Sequence, residues 1–271
     1  MKISSNGVKL NVNDTGTPIA DGGKGDIALV FLHFWGGSSL TWNEVTARLR
    51  NRFRCISIDA RGAGDSEAPS TGYSTNDHAN DALNVIKALG LKRYILIGHS
   101  MGGKAAQLLA SHQPQGLIGL VLVASSPPSP MAIDDAMRAQ MKAAYADRDA
   151  VEWSLNNVLV GSPLSVESRS QLITDALRLS SPAKAGWVDI GTREDIREQT
   201  AQIHVPVTIV AGELDRVDPV AVVKDHILPY YPNAVVHFLP NKGHLLPVEA
   251  PEEIAGLIRD MAEVSQPICA R

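Results

Sequence analysis

A serine, two candidate acids and a histidine follow one another along this chain, each just past the end of a strand-like run. Ser100 is the centre of Gly98-His99-Ser100-Met101-Gly102, after the apolar run Tyr94-Ile95-Leu96-Ile97 and before a helix-like run over 103–110. Strand, G-x-S-x-G and helix together spell a nucleophile elbow, a turn too sharp for anything but tiny residues two positions either side of the serine. Such a turn pushes the hydroxyl out over the strand's carboxyl end, beside free helix N–H groups, where acyl transfer can occur. A serine hydroxyl needs a base to take its proton. His244 stands in Asn241-Lys242-Gly243-His244, after the strand-like 235–239, and is the candidate base. Asp215 and Asp218 follow a third such run, 205–211, within Gly212-Glu213-Leu214-Asp215-Arg216-Val217-Asp218-Pro219.

Serine, acid, histidine is the order of the α/β-hydrolases and differs from the chymotrypsin and subtilisin orders. Four motifs in register make the chain resemble that superfamily over nearly its whole length. His33-Phe34-Trp35-Gly36-Gly37 stands where the family has His-Gly and then an oxyanion-hole residue. Asp59-Ala60-Arg61-Gly62-Ala63-Gly64-Asp65-Ser66 resembles the D-x-R-G-x-G-x-S turn after the next strand. The elbow and Gly243-His244 complete the set. Among relatives the chain is similar to small bacterial carboxylesterases, to acyl-homoserine lactone hydrolases of this fold, and to cofactor-free haloperoxidase-like hydrolases.

The resemblance implies Ser100 as nucleophile, His244 as base and, through the frame G-x-x-D-x-x-x-P, Asp215 as the acid. Asp218 is then expected as a solvated or helix-capping carboxylate. The oxyanion hole is expected from the backbone N–H groups of Trp35 and Met101. Phe34 replaces the usual glycine, so the loop either adopts an ordinary conformation or holds Phe34 under strain. His33 is expected to brace that loop by hydrogen bonding. Serine in place of an aspartate nucleophile disfavours a haloalkane dehalogenase or an epoxide hydrolase.

The elements that must position these groups alternate. A hairpin is expected around Asn6-Gly7, then a Gly-rich loop over Gly22 to Gly25, then the continuous apolar strand 27–32. Further strands are read at 54–58, 94–97, 120–124, 207–211 and 235–239, with helices over about 41–49, 74–89, 102–112 and 251–264. The pattern predicts an α/β-hydrolase fold, a mostly parallel central sheet flanked by helices, with a helical cap inserted after the sixth strand. Residues 1–124 and 199–271 form the expected core domain and 125–198 the cap, cut into about four helices by its Pro and Gly breakers. Phe34, Met131, Tyr145, Trp153 and Trp187 are the expected walls of a substrate pocket beneath it.

Composition narrows the class. A chain of 271 residues, 44% hydrophobic, can bury a full core. A net charge of −4 offers no basic field for nucleic acid or anionic membrane and disfavours anionic substrates. Two cysteines argue against a disulfide framework, with Cys55 read as a buried thiol and Cys269 as part of the tail. Neither a signal-type leader nor an apolar run long enough for a bilayer is present, which points to a cytoplasmic setting. No zinc-hydrolase, P-loop or dinucleotide spacing occurs, so no metal or cofactor is expected. The reading is a metal-independent hydrolase of carboxylic esters or lactones acting on a small molecule. Its rivals are a carbon–carbon bond hydrolase, a perhydrolase or haloperoxidase with the same three residues, and a non-catalytic ligand-binding protein of this fold.

Overall fold

Strands form over each of the apolar runs. The computed structural model describes residues 1–18 and 27–265; the loop read across Gly22 to Gly25 and Cys269 lie outside them. β1 (Lys2–Ser5) and β2 (Val8–Asp14) form an antiparallel hairpin turning on Asn6 (φ 48°) and Gly7 (φ 83°). Two positive φ values in succession match the right-handed twist of the flanking strands. β3 (Ile27–Leu32), β4 (Arg54–Ile58), β5 (Arg93–His99), β6 (Leu117–Val123), β7 (Val207–Gly212) and β8 (Val235–Leu239) complete one eight-stranded sheet. Its order is β1-β2-β4-β3-β5-β6-β7-β8, and every pairing beyond β2–β4 is parallel.

Because successive side chains leave a strand on opposite faces, β3 feeds two cores. Ala28, Val30 and Leu32 pack on one face with α2 (Thr75–Ala88) and α3 (Met101–Ser111). Ile27, Leu29 and Phe31 pack on the other with α1 (Asn43–Leu49) and the C-terminal helix. α2 begins in a capping box in which Ser74 and Asp77 satisfy each other's backbone N–H groups.

Between β6 and β7 the chain leaves the sheet. This helical excursion comprises α4 (Asp135–Ala143), α5 (Arg148–Ser154), α6 (Val166–Arg178) and α7 (Ser181–Asp189), with the short α8 (Arg197–Thr200) leading back. α5 runs on into a π-turn at Leu155–Leu159. Both stems of the excursion meet at Lys104 on α3, whose buried ammonium donates to the carbonyls of Ser129 (3.2 Å), Gly191 (3.1 Å) and Glu194 (2.6 Å). Burial lowers that ammonium's pKa to about 8. α9 (Val220–His226), α10 (Leu246–Glu249) and α11 (Pro251–Val264) complete the helices. No helix among the described residues is long and apolar enough to cross a membrane. Cys55 is a buried free thiol, its pKa pushed up to about 12 by burial.

Asp59, just past the end of β4, ties β2 to the segments that follow β3 and β4. Its Oδ1 accepts from Ser39 N–H (2.6 Å), and its Oδ2 from Asp65 N–H (2.9 Å) and Asn11 Nδ2 (3.0 Å). Burial works to raise its pKa, but the N–H donors of Asp65 and Ser39 outweigh it and hold the carboxyl below its usual range. Asp59→Ala strands these donors in the interior and should cost about 2–4 kcal/mol. A thermal melt that moves by less than one degree would contradict this role.

Candidate active site

Geometry at Ser100 begins with its backbone. Ser100 sits between β5 and α3 at φ 53° and ψ −116°, a conformation that costs a non-glycine residue free energy. The surrounding contacts enforce it. A Cβ on Gly98 would lie 2.5 Å from the carbonyl oxygen of Gly102, and one on Gly102 would lie 2.6 Å from those of Leu32 and His33. Only glycine lets strand and helix approach that closely. Ser100 N–H donates to Val123 O across the sheet (3.2 Å), and Ser100 O accepts from Ser126 N–H (3.2 Å).

His244 is buried in the loop after β8, and Asp215 in the loop after β7. Asp215 Oδ2 accepts from His244 Nδ1 at 2.8 Å. A proton on Nδ1 leaves Nε2 as the basic nitrogen of the neutral ring. Burial pulls the pKa of His244 down, yet the charge of Asp215 and its hydrogen bond prevail, and the net value lies above that of an ordinary imidazole. The loop is fixed by its backbone as well. His244 N–H donates to Leu159 O in the π-turn (2.8 Å), and His244 O accepts from His99 Nε2 (2.8 Å). Burial, with His244 close by, holds His99 well below the usual imidazole range, so it stays neutral.

Glu249 carries out the remaining bracing, a role that its place in the sequence did not disclose. Its Oε2 accepts from the N–H groups of Gly161 (2.9 Å), Ser162 (2.8 Å) and Gly243 (3.0 Å), and Oε1 from Leu245 N–H (3.1 Å). One carboxylate thereby joins the histidine loop to the helical excursion. The available signal was a lone acid in the apolar run Leu245-Leu246-Pro247-Val248-Glu249.

Asp218 differs from expectation. It is neither solvated nor capping: its side chain is buried, neither carboxylate oxygen has a hydrogen-bond partner among the described residues, and α9 has no side-chain cap. The cause is local. Asp215 Oδ1 accepts from the N–H groups of both Val217 (2.8 Å) and Asp218 (3.0 Å), which folds the segment back inward. Burial, and then the negative charge of Asp215, push the Asp218 carboxyl up to about 8, so it is protonated at neutral pH.

The loop after β3 holds Phe34 and Trp35. Phe34 is not among the residues at positive φ; that conformation falls on Gly36 (φ 99°), so an ordinary backbone accommodates the larger residue. His33 donates from Nδ1 to Phe34 O (2.7 Å) while its Nε2 accepts from Ala60 N–H (3.0 Å). Gly37 N–H donates to the same carbonyl (3.1 Å). Because the peptide is planar and trans, fixing Phe34 O on one side fixes the Trp35 N–H on the other. Tyr145 from the excursion donates its hydroxyl to Trp35 O (3.0 Å) and packs its ring 4.4 Å from the indole. Met101 is the first residue of α3, where N–H groups lack intrahelical partners and the helix end is electropositive.

A cavity of about 550 Å³ lies between the excursion and the sheet's carboxyl edge. Ser100 and His244 both reach its wall, as do Phe34, Met131, Tyr145, Trp153 and Trp187, while Asp215 lies behind His244. Sequence reasoning missed polar residues of that wall, among them Gln140, Asn157 and Arg216. No spacing signal marks them, since three separate elements contribute one each.

Unpartnered Asp218 yields a prediction. The native state keeps a proton that the unfolded chain, with a carboxyl near 3.8, has released, so this group's contribution to stability falls as pH climbs from about 4 to about 8. Asp218→Asn removes that titration. Its melting temperature relative to the parent should therefore rise across this window, and a difference independent of pH would show that Asp218 titrates normally.

The profile of the Alpha/beta hydrolase family matches residues 29–257. A 2-(acetamidomethylene)succinate hydrolase from Mesorhizobium japonicum is 30% identical over 256 residues, covering 90% of this chain and 88% of that protein. Among solved structures, an esterase from Exiguobacterium antarcticum superposes with a TM-score of 0.84 at 22% identity, covering 97% of this chain and 98% of its own. Est816, described as an N-acyl homoserine lactone degrading enzyme, gives a TM-score of 0.76 at 25% identity, covering 96% and 99%.

Proposed function

Because this chain belongs to the alpha/beta hydrolase family, we propose that it is a metal-independent serine hydrolase of carboxylic esters and lactones. One observation carries the reading: His244, paired through Nδ1 to the buried Asp215 at 2.8 Å, shares a cavity wall with Ser100. Base and acid are paired as acyl transfer requires, and the nucleophile proposed for them lies on the same wall. The excursion acts as a cap whose apolar side chains shed water from the acyl group.

In this mechanism Ser100 Oγ attacks the carbonyl carbon as His244 Nε2 takes its proton. The carbonyl oxygen becomes negative and is held by the N–H groups of Trp35 and Met101. Asp215 keeps the ring in the useful tautomer and stabilises the imidazolium. As the tetrahedral species collapses, the carbon–oxygen bond to the alcohol breaks and His244 returns the proton to that oxygen. Water then attacks the acyl-enzyme by the same route, releasing the acid and restoring Ser100. Lactone opening needs no further group, since the ring oxygen is a tethered leaving alkoxide. The likeness to Est816 supports including lactones.

Ser100→Ala should abolish turnover of p-nitrophenyl esters and homoserine lactones while leaving a folded protein; undiminished activity removes the assignment. Exhaustive chelation should leave the parent's rate unchanged. Asp215→Asn should lower kcat by orders of magnitude, through loss of the tautomer and of the imidazolium's counter-charge. Asp218→Asn should cost far less, and the reverse ranking would transfer the acid's role. A carbon–carbon bond hydrolase would instead turn over a vinylogous diketone and leave both ester and lactone series at background.

A general base must be neutral, so kcat/KM should rise with pH as His244 loses its proton. The direction of its shift puts the midpoint above the ordinary imidazole value of 6.5. In Asp215→Asn the residual rate should show a midpoint displaced downward, because the raising charge is gone. An unmoved midpoint would assign the limb to another group.

A further inference from the structure

Among the described residues on the cavity wall, Arg216 carries the one permanent charge, and none of the others is Asp, Glu or Lys. Arg216 follows the acid directly in sequence, on the turn that Asp215 Oδ1 organises through the Val217 and Asp218 N–H groups. Its side chain is exposed and lines the cavity, so it stands where the cavity meets solvent. Nη1 donates to Asn157 O in the π-turn at 3.1 Å; among the described residues this is the guanidinium's one hydrogen bond, and it has no ion pair. A guanidinium offers five N–H donors in a planar fork. Most of that fork is therefore uncommitted, beside a wall that is otherwise apolar apart from a few amides and hydroxyls.

We propose that Arg216 selects substrates whose acyl part ends in a carboxylate, bound by the guanidinium while the ester or lactone carbonyl sits at Ser100. This inference rests on the hydrolase reading above and names its substrate class. A carboxylate matches the fork by accepting two parallel N–H bonds, which a neutral ester cannot do as strongly. The chain's net charge of −4 does not oppose it. Exposed charges more than a Debye length away, about 8–10 Å at ordinary ionic strength, are largely screened, whereas Arg216 would touch its ligand. The acyl methylenes between the two ends lie along Met131, Met141 and Trp153.

The alternative is a strap, in which Arg216 only ties the turn after β7 to Asn157. Matched substrates separate the two. Mono-p-nitrophenyl esters of the linear diacids from succinate to suberate are compared with the same compounds methylated at the free carboxyl. In the parent, one chain length should be preferred about tenfold as the free acid, with the preference carried by KM and shrinking as salt is added. Arg216→Gln should erase that ratio and Arg216→Lys should keep part of it. A parent ratio of one or below, or a ratio unchanged in Arg216→Gln, overturns the proposal. A second measurement needs no turnover. The best-fitting diacid should raise the melting temperature of the parent more than its neutral diamide does, and this difference should vanish in Arg216→Gln. If neither ester series is hydrolysed but the diacid still stabilises through Arg216, the hydrolase reading fails and the anion site stands.

Discussion

Between β5 and α3 the backbone reverses so tightly that the carbonyl oxygens of Leu32, His33 and Gly102 occupy the space where side chains would otherwise be. Much else in the molecule follows from that crossing. It holds Ser100 at φ 53°, lifts its hydroxyl off the strand and starts a helix directly beneath it. It also brings the loop after β3 against the helix's first turn, so that the Trp35 and Met101 backbones come from neighbouring elements. The strain is sustained because a buried parallel sheet on one side and α3 on the other leave no alternative path. Stability elsewhere holds a serine in a conformation that it would not choose.

Around His244 three carboxyl groups lie within electrostatic reach, and each has a different state imposed by its surroundings. Asp215 receives two backbone N–H donors and the imidazole, an environment built for an anion. Glu249 receives four backbone N–H groups and serves as a joint between loops. Asp218 receives none and holds its proton. The chemical difference between these acids is zero or one methylene; the supply of donors separates them. Side chains that look equivalent in sequence become a partner for the imidazole, a bracket and a neutral acid.

Legibility followed the range of the interactions involved. Apolar runs, breakers and the four motifs disclosed the sheet, the elbow and the segment that leaves the sheet after β6, because those signals are local. The strand read at 120–124 begins at Leu117, since pairing with β5 recruits Leu117 to Gly119, whose own side chains give a weak pattern. Asp218 was misread because its inward path depends on hydrogen bonds to a neighbouring side chain, which spacing alone does not encode. Glu249, Lys104 and Arg216 were unreadable for a related reason. Each reaches at least one residue more than fifty positions away, and a single sequence has no term for such pairings.

Lys104 also gives the helical excursion a meaning in polymer terms. With Ser129 at one end and Gly191 and Glu194 at the other held by one ammonium, the intervening chain is a closed loop whose ends are fixed independently of its contents. The entropy of closing a flexible loop grows only logarithmically, by about 0.6 kcal/mol for each doubling of length. Segments between those stems can therefore be lengthened, shortened or exchanged at little cost to the sheet, provided that they still cover its apolar edge. The elbow beneath would be undisturbed, and the shape of the cavity could diverge while Ser100, His244 and Asp215 stay where they are.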